Sequence, residues 1–374
     1  MEAVKEKTKK QSKGKKAVTI ILCIIIAIAV SAVVFINITT RPAKDTDENR
    51  FAVGGMVVSD TVEYKDDSGN GIRHNPIVRI MQMVWRFCSD GDAKKHADQT
   101  PPDKIEKKKD IAYIDDGNIY HKLDVYYPEG TPADAKLPVV IDIHGGGWMY
   151  GDKDLNEYYC LSIADRGYTV FNISYRLVPD VTVNEQLQDV AMALQWISKN
   201  MANYPCDASK IMLTGDSAGG QLAAYSAVLL QSEELRKTFD VVDGNIDVSA
   251  LVLTSPVAFM KDGGAFSVYT KILWGSDYKS KPTYNYMDLN EIVDFAKLPP
   301  TYLITSGGDS LAQEQTHRAY DLLKEKGVKC KIADFGDDEN GKPLPHVFSV
   351  LFPFDKSGTK AIDDALTFFD EACK

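Results

Sequence analysis

From Asp110 onward the chain alternates short apolar runs with stretches of helical period, and that rhythm limits its fold more than any other feature. Leu137–Ile143 is an apolar run closed by His144-Gly145-Gly146-Gly147. A parallel strand covered on both faces reads this way, because neither face needs polar residues. Tyr168–Tyr175, Lys210–Gly215, Val248–Ser255, Pro300–Ser306 and Lys329–Phe335 read as further strands. Between them Asn184–Asn200 places Leu187, Val190, Leu194 and Ile197 on one helical face. Helices are also expected over residues 218–230, 313–326 and 360–372. Such alternation implies an α/β fold, a mostly parallel central sheet with helices on both faces. Ile111–Ile114 and His121–Tyr127 flank the turn signal Asp115-Asp116-Gly117-Asn118, so an antiparallel hairpin should sit at one edge. Ala258–Leu298 breaks the rhythm; its aromatic residues, among them Phe266, Tyr269, Trp274 and Tyr286, fit a pocket wall or a surface excursion.

A chain of 374 residues exceeds the ~250–300 at which one core usually stops growing, so something is appended to this domain. Residues 1–16 hold seven lysines against Glu2 and Glu6, and residues 17–36 follow without a charge. Roughly 20 apolar residues span the ~30 Å of a bilayer's hydrocarbon. A cleavable signal has a shorter apolar region and a small-x-small site, whereas this run ends in Phe35-Ile36-Asn37. A transmembrane signal anchor is therefore expected over 17–36, with a cytoplasmic basic segment at 1–16 and the rest of the chain outside the cell membrane. Residues 37–109 form a tether and extension: a polar stretch from Thr39, a turn-rich one over Lys65–Gly71, an amphipathic helix over Pro76–Phe87, and an exposed link from Lys94. The helix could pack on the main domain or act as a cap. The α/β domain is taken as 110–374.

The whole chain has formal charge −10, which leaves about −15 beyond the basic segment. An acidic domain is a poor partner for nucleic acid, whose phosphates require Lys and Arg. Six cysteines without a C-x-x-C spacing give no metal pattern.

Two motifs carry chemistry. Gly215-Asp216-Ser217-Ala218-Gly219 falls between an expected strand and an expected helix. A sharp turn there lifts the Ser217 hydroxyl above the sheet, and small neighbours let the backbone bend. It also leaves the Ala218 N–H at a helix N-terminus, where an oxyanion is favoured. The second motif is His144-Gly145-Gly146-Gly147-Trp148, whose glycines can turn their N–H groups toward a developing negative charge. A merely flexible loop is the bland reading, and no G-K-[ST] pattern supports a phosphate loop. A serine needs a base and the base an orienting carboxylate. His346, between the last strand and last helix, suits the base; His317 falls inside a helix. Asp309 follows a strand through Gly307-Gly308 and suits the acid, with Asp334 and Asp337 as rivals. Asp216 and Asp189 read as structural hydrogen-bonding groups, and His144 as a brace for the glycine loop.

With these residues the chain resembles the hormone-sensitive-lipase-like carboxylesterases and related acetyl esterases of the α/β-hydrolase superfamily. The resemblance covers roughly 110–374 and rests on His144–Trp148, Ser174-Tyr175-Arg176-Leu177, Gly215–Gly220, Gly308-Asp309 and Pro345-His346. It implies Ser217 as nucleophile, Asp309 as acid and His346 as base, with Gly146, Gly147 and Ala218 as oxyanion donors and Gly145 as a further candidate. Where the family often has a second acidic residue three after the acid, this chain has Ala312. The implied activity is two-step hydrolysis of a small-molecule carboxylic ester with a short acyl group such as acetyl, needing no metal and no cofactor. A serine peptidase of the same fold and a non-catalytic extracellular binding protein are the alternatives.

Overall fold

The computed structural model describes residues 21–22, 24–40, 51–57, 75–261 and 270–374. The basic segment, most of the tether, the turn-rich stretch 65–71, and Phe266 and Tyr269 lie outside the described residues.

Eight strands form one sheet: β1 Ile105–Ala112, β2 Lys122–Pro128, β3 Leu137–Ile143, β4 Thr169–Ile173, β5 Cys206–Asp216, β6 Ala250–Thr254, β7 Thr301–Ser306 and β8 Cys330–Phe335. Their order is β1-β2-β4-β3-β5-β6-β7-β8. β1 pairs antiparallel with β2 and β2 with β4, while every pair from β4 to β8 is parallel. This is the α/β-hydrolase architecture, with the expected hairpin at one edge. β4 and β6 are buried along their whole length, as strands under helices on both sides must be.

The two largest boundary differences from the sequence reading lie ahead of β2. β1 starts at Ile105, ahead of residue 110, and runs through Glu106-Lys107-Lys108-Lys109, which read as an exposed link. Its charge suits an edge strand, since lysines discourage pairing with another chain. The expected helix at 76–87 extends from Pro76 to Ala97. Its second half is held by contacts distant in sequence: Ser89 Oγ accepts from the Phe51 N–H at 2.8 Å and donates to the Phe51 carbonyl at 2.9 Å. Tyr150 donates to Asp92 at 3.0 Å. Residues 51–57 tie the extension to the domain, because Gly54 N donates to Met149 O and Gly151 N to Ala52 O, both at 2.8 Å.

At the N-terminus residues 24–39 are helical, and Ile24, Ile28, Val33 and Ile38 are all exposed there. Among the described residues no helix is long and apolar enough to cross a membrane; residues 17–20 of the expected span lie outside them. Of the 258–298 segment, residues 270–295 fold into short helical turns whose Leu273, Trp274, Met287 and Leu289 are buried in the main core, so the described part is no mere surface excursion. Cys88, Cys160, Cys206, Cys330 and Cys373 are free thiols.

Asp189, on the Val183–Asn200 helix, is structural as expected. It accepts from the Arg176 N–H at 3.0 Å and from the guanidinium at 2.8 and 2.6 Å, and His121 Nε2 lies 3.3 Å away. With the Asp189 side chain fully buried, removing it strands a partly buried cation. Asp189→Ala is expected to cost about 3–5 kcal/mol, read as a lower denaturant midpoint; a loss below about 1 kcal/mol, the scale of an exposed ion pair, would show that water replaces the carboxylate there.

Candidate active site

Pairing between β3 and β5 sets Ile143 beside Gly215, so the segments leaving these two strands emerge side by side. From β5 the chain turns at once into the Ser217–Leu229 helix. Ser217 takes φ 51°, a left-handed conformation that strains a side-chain-bearing residue. The turn is tight enough that a Cβ at Gly219 would collide with the Ile143 and His144 carbonyls, which is why this position holds glycine.

From β3 the loop carries Gly146, Gly147 and Trp148 at φ 100°, 56° and 64°. Trp148 holds this conformation while fully buried. Its Nε1 donates to Gln221 at 2.8 Å, and its carbonyl accepts from Gln186 at 2.8 Å. His144 braces the loop. Its Nδ1 is 2.9 Å from the Gly145 carbonyl, so that nitrogen carries the proton. The ring stacks on Tyr175 at 4.2 Å, and Tyr175 donates to the His144 carbonyl at 2.6 Å. Burial pushes the His144 pKa down to about 4, so it is neutral at physiological pH.

The Gly145 N–H donates to Asp216 Oδ1 at 2.9 Å, so Gly145 is spent on structure. Of the candidate donors this leaves the Gly146, Gly147 and Ala218 amides, which lie on the two segments that emerge side by side from β3 and β5.

The acid and base come from the far side of the sheet. Asp309 follows β7 and accepts from the Leu311 and Ala312 amides at 3.1 and 2.9 Å. His346 follows β8. The two loops approach because position 308 is glycine: a Cβ there would meet the Leu344 carbonyl. Ser306 also donates to that carbonyl at 2.8 Å. The result is a continuous chain, with Ser217 Oγ 2.9 Å from His346 Nε2 and His346 Nδ1 2.9 Å from Asp309 Oδ1. Burial acts to raise the Asp309 carboxyl, but the hydrogen bond and charge of His346 outweigh it and hold Asp309 below its ordinary value. The rivals are elsewhere: Asp334 lies 2.7 Å from His317 Nε2, both partly exposed, and Asp337 forms a bridge with Pro343.

Comparisons with known proteins bear on the family and the fold. Residues 123–317 match the BD-FAE family. Esterase B from Lactobacillus rhamnosis superposes with a TM-score of 0.74 at 30% identity, over 79% of this chain and 95% of that one. The chain belongs to the hormone-sensitive-lipase-like esterases of the α/β-hydrolase superfamily. It is an ester-hydrolysing enzyme. The versiconal hemiacetal acetate esterase of Dothistroma septosporum is 37% identical over 240 residues, 58% of this chain and 67% of that protein. Esterase LipI of Mycobacterium tuberculosis is 27% identical over 217 residues, 56% of this chain. The chain spans 66% of LipI's length.

Three supports of this esterase site escaped the sequence reading. Asn156 donates to both Asp142 and Asp216 at 2.9 Å; it sits in a polar loop with no motif of its own. Asp142 was absorbed into an apolar run. Trp85 comes from the extension and lies against Gly147, where a Cβ would strike its ring; it stacks on Tyr150 at 5.6 Å. No periodicity could have announced that contact.

Burial, and then the Asp216 charge, push the Asp142 carboxyl up to about 8. Asp216 is raised as well, again by burial. A carboxyl raised in the folded state binds more protons there than in the unfolded chain, so stability falls as pH rises from ~4, the unfolded carboxyl value, toward the folded value of about 8. Asp142→Asn removes that dependence. Its thermal midpoint relative to wild type should be higher at pH 8 than at pH 5; an offset equal at both pH values would show that Asp142 is ionised throughout.

Proposed function

We propose that this enzyme hydrolyses a carboxylic ester with a short acyl chain, acetyl or close to it, through an acyl-enzyme on Ser217. The observation that carries this reading is the hydrogen-bonded chain Ser217–His346–Asp309, with both links at 2.9 Å. In it Ser217 attacks the ester carbonyl as His346 Nε2 takes the hydroxyl proton. Asp309, anionic and fixed by two amides, keeps the proton of His346 on Nδ1 and balances the imidazolium. The tetrahedral oxyanion is received by the amides of Gly146, Gly147 and Ala218. His346 then protonates the leaving alcohol, and water repeats the sequence on the acyl-enzyme.

The acetate ester in the name of the Dothistroma relative and the tributyrin phosphonate in that of the Lactobacillus structure support a short acyl group.

The test is hydrolysis of p-nitrophenyl acetate, butyrate and octanoate by the full chain in detergent. Acetate and butyrate should turn over faster than octanoate, and Ser217→Ala should lose activity by at least about 10³-fold. A folded wild type that is inert on all three esters would sink the short-acyl reading. Activity that survives Ser217→Ala would sink the nucleophile. Gly147→Ala forces a Cβ toward Trp85 at φ 56°. It should lower kcat by about 10²–10³ with little change in KM; a loss confined to KM would remove Gly147 from the oxyanion pocket.

The same reading places the enzyme at a membrane, held by residues 17–36 with the N-terminus cytoplasmic and the α/β domain outside. The seven lysines before the apolar segment and the exposed isoleucines and valines of 24–39 support it, since lipid would cover side chains that water does not favour.

A further inference from the structure

The helix Pro76–Ala97 turns one face to the domain and another outward. Val78, Gln82 and Ser89 are buried against the domain, and Trp85 reaches the glycine loop from this side. The other face carries Ile77, Ile80, Val84 and Phe87, 41%, 46%, 42% and 53% exposed. Their spacing of three, four and three residues puts them in one stripe. Beyond the N-terminal helix, the described residues expose six large hydrophobic side chains, and only Val242 and Leu311 are not in this stripe. Single exposed apolar residues are ordinary; four in one row mark a surface that something covers.

The stripe is continuous with the N-terminal helix. Phe87 stacks on Phe35 with ring centroids 6.4 Å apart, and Arg79 donates to Asn37 at 2.5 Å. Phe35 and Ile38 are themselves about half exposed, at 51% and 58%.

We propose that the Pro76–Ala97 helix lies in the bilayer surface, its stripe among the lipid acyl chains, as a second membrane contact beside the anchor. The inference rests on the membrane reading given above. Lipid is the occupant because the stripe runs without a break onto the exposed apolar side chains of 24–39, and one hydrocarbon phase covers both. An amphipathic helix with one large apolar face settles ~5–10 Å into the headgroup boundary. The opposite side of this helix rests on the Gly147 loop through Trp85. A helix with its side chains is about 10–12 Å across, so the bilayer surface would lie about one helix diameter from the oxyanion loop. Esters dissolved in the membrane would then reach the site without crossing bulk water.

The test uses the full chain reconstituted in phosphatidylcholine vesicles with brominated acyl chains. Flotation of the wild type is measured first. A tryptophan is then added by Phe87→Trp or, as a control outside the stripe, by Val242→Trp, and both variants are checked for wild-type turnover of p-nitrophenyl acetate. At the expected interfacial depth the added emission at position 87 should be quenched roughly twofold and that at 242 should not. A wild type that does not float overturns the anchor and the docking with it. A chain that floats, but whose added emission at position 87 is unquenched, or is quenched no more than that at 242, overturns the docking and leaves the anchor standing.

Discussion

The site depends first on the parallel pairing of β3 with β5. That register sets Ile143 against Gly215, and from there the glycine loop and the serine turn leave the sheet as neighbours. Asp216 then locks them together, its Oδ1 taking the Gly145 N–H and the Asn156 amide, both at 2.9 Å. The carboxylate beside the serine is thus a structural clamp. By occupying one glycine amide it pins the start of the glycine loop. A loop of three glycines would otherwise be among the freest segments in the chain, and an oxyanion pocket needs donors aimed before the charge develops.

The clamp imposes an electrostatic constraint of its own. Asp142 and Asp216 are both buried, and Asn156 donates to each. Two buried carboxylates cannot both be ionised cheaply. Burial and the Asp216 charge push Asp142 up, while the Asn156 and Gly145 donors oppose the same rise at Asp216, the acceptor that the loop requires. Asp309 faces the opposite demand. Two backbone amides and the His346 imidazole hold its carboxyl below the ordinary value despite burial. Acidic groups at the same ends of one sheet are thereby held in different states by the donors around them.

The parts of this arrangement that were legible in the sequence are those set locally. Strands β3, β4, β6, β7 and the second half of β5 announce themselves because burial on both faces favours apolar runs, and the helices between them by their period. Ser217, His346 and Asp309 could be picked out because chemistry fixes their type and chain topology fixes their order. What could not be read was set by distant contact. β1 is a charged strand because it is an edge, and its lysines look like a loop until β2 is beside it. The Pro76–Ala97 helix continues past Phe87 because Phe51 and Tyr150 hold its second half, and neither is near it in sequence. Asn156 is polar in a polar loop, so nothing distinguishes it until Asp142 and Asp216 converge on it.

The extension before β1 therefore does more than connect. Residues 51–57 are bonded to Met149 and Gly151 at the end of the glycine loop, and Gln82 donates to the Gly54 carbonyl at 3.0 Å. Trp85 closes the same region over Gly147. The loop is consequently held from two sides: from within the sheet by Asp216, and from outside by a helix whose sequence gives no sign of the site. Any force that shifts that helix acts on the glycine loop through Trp85 and Gly54. A helix carrying an unmet apolar stripe on its outer face and the loop's packing on its inner face is mechanically a link between the protein's surroundings and its chemistry. In a chain whose N-terminal helix meets that same stripe at Phe35, the placement of the helix and the shape of the site are settled by one set of contacts.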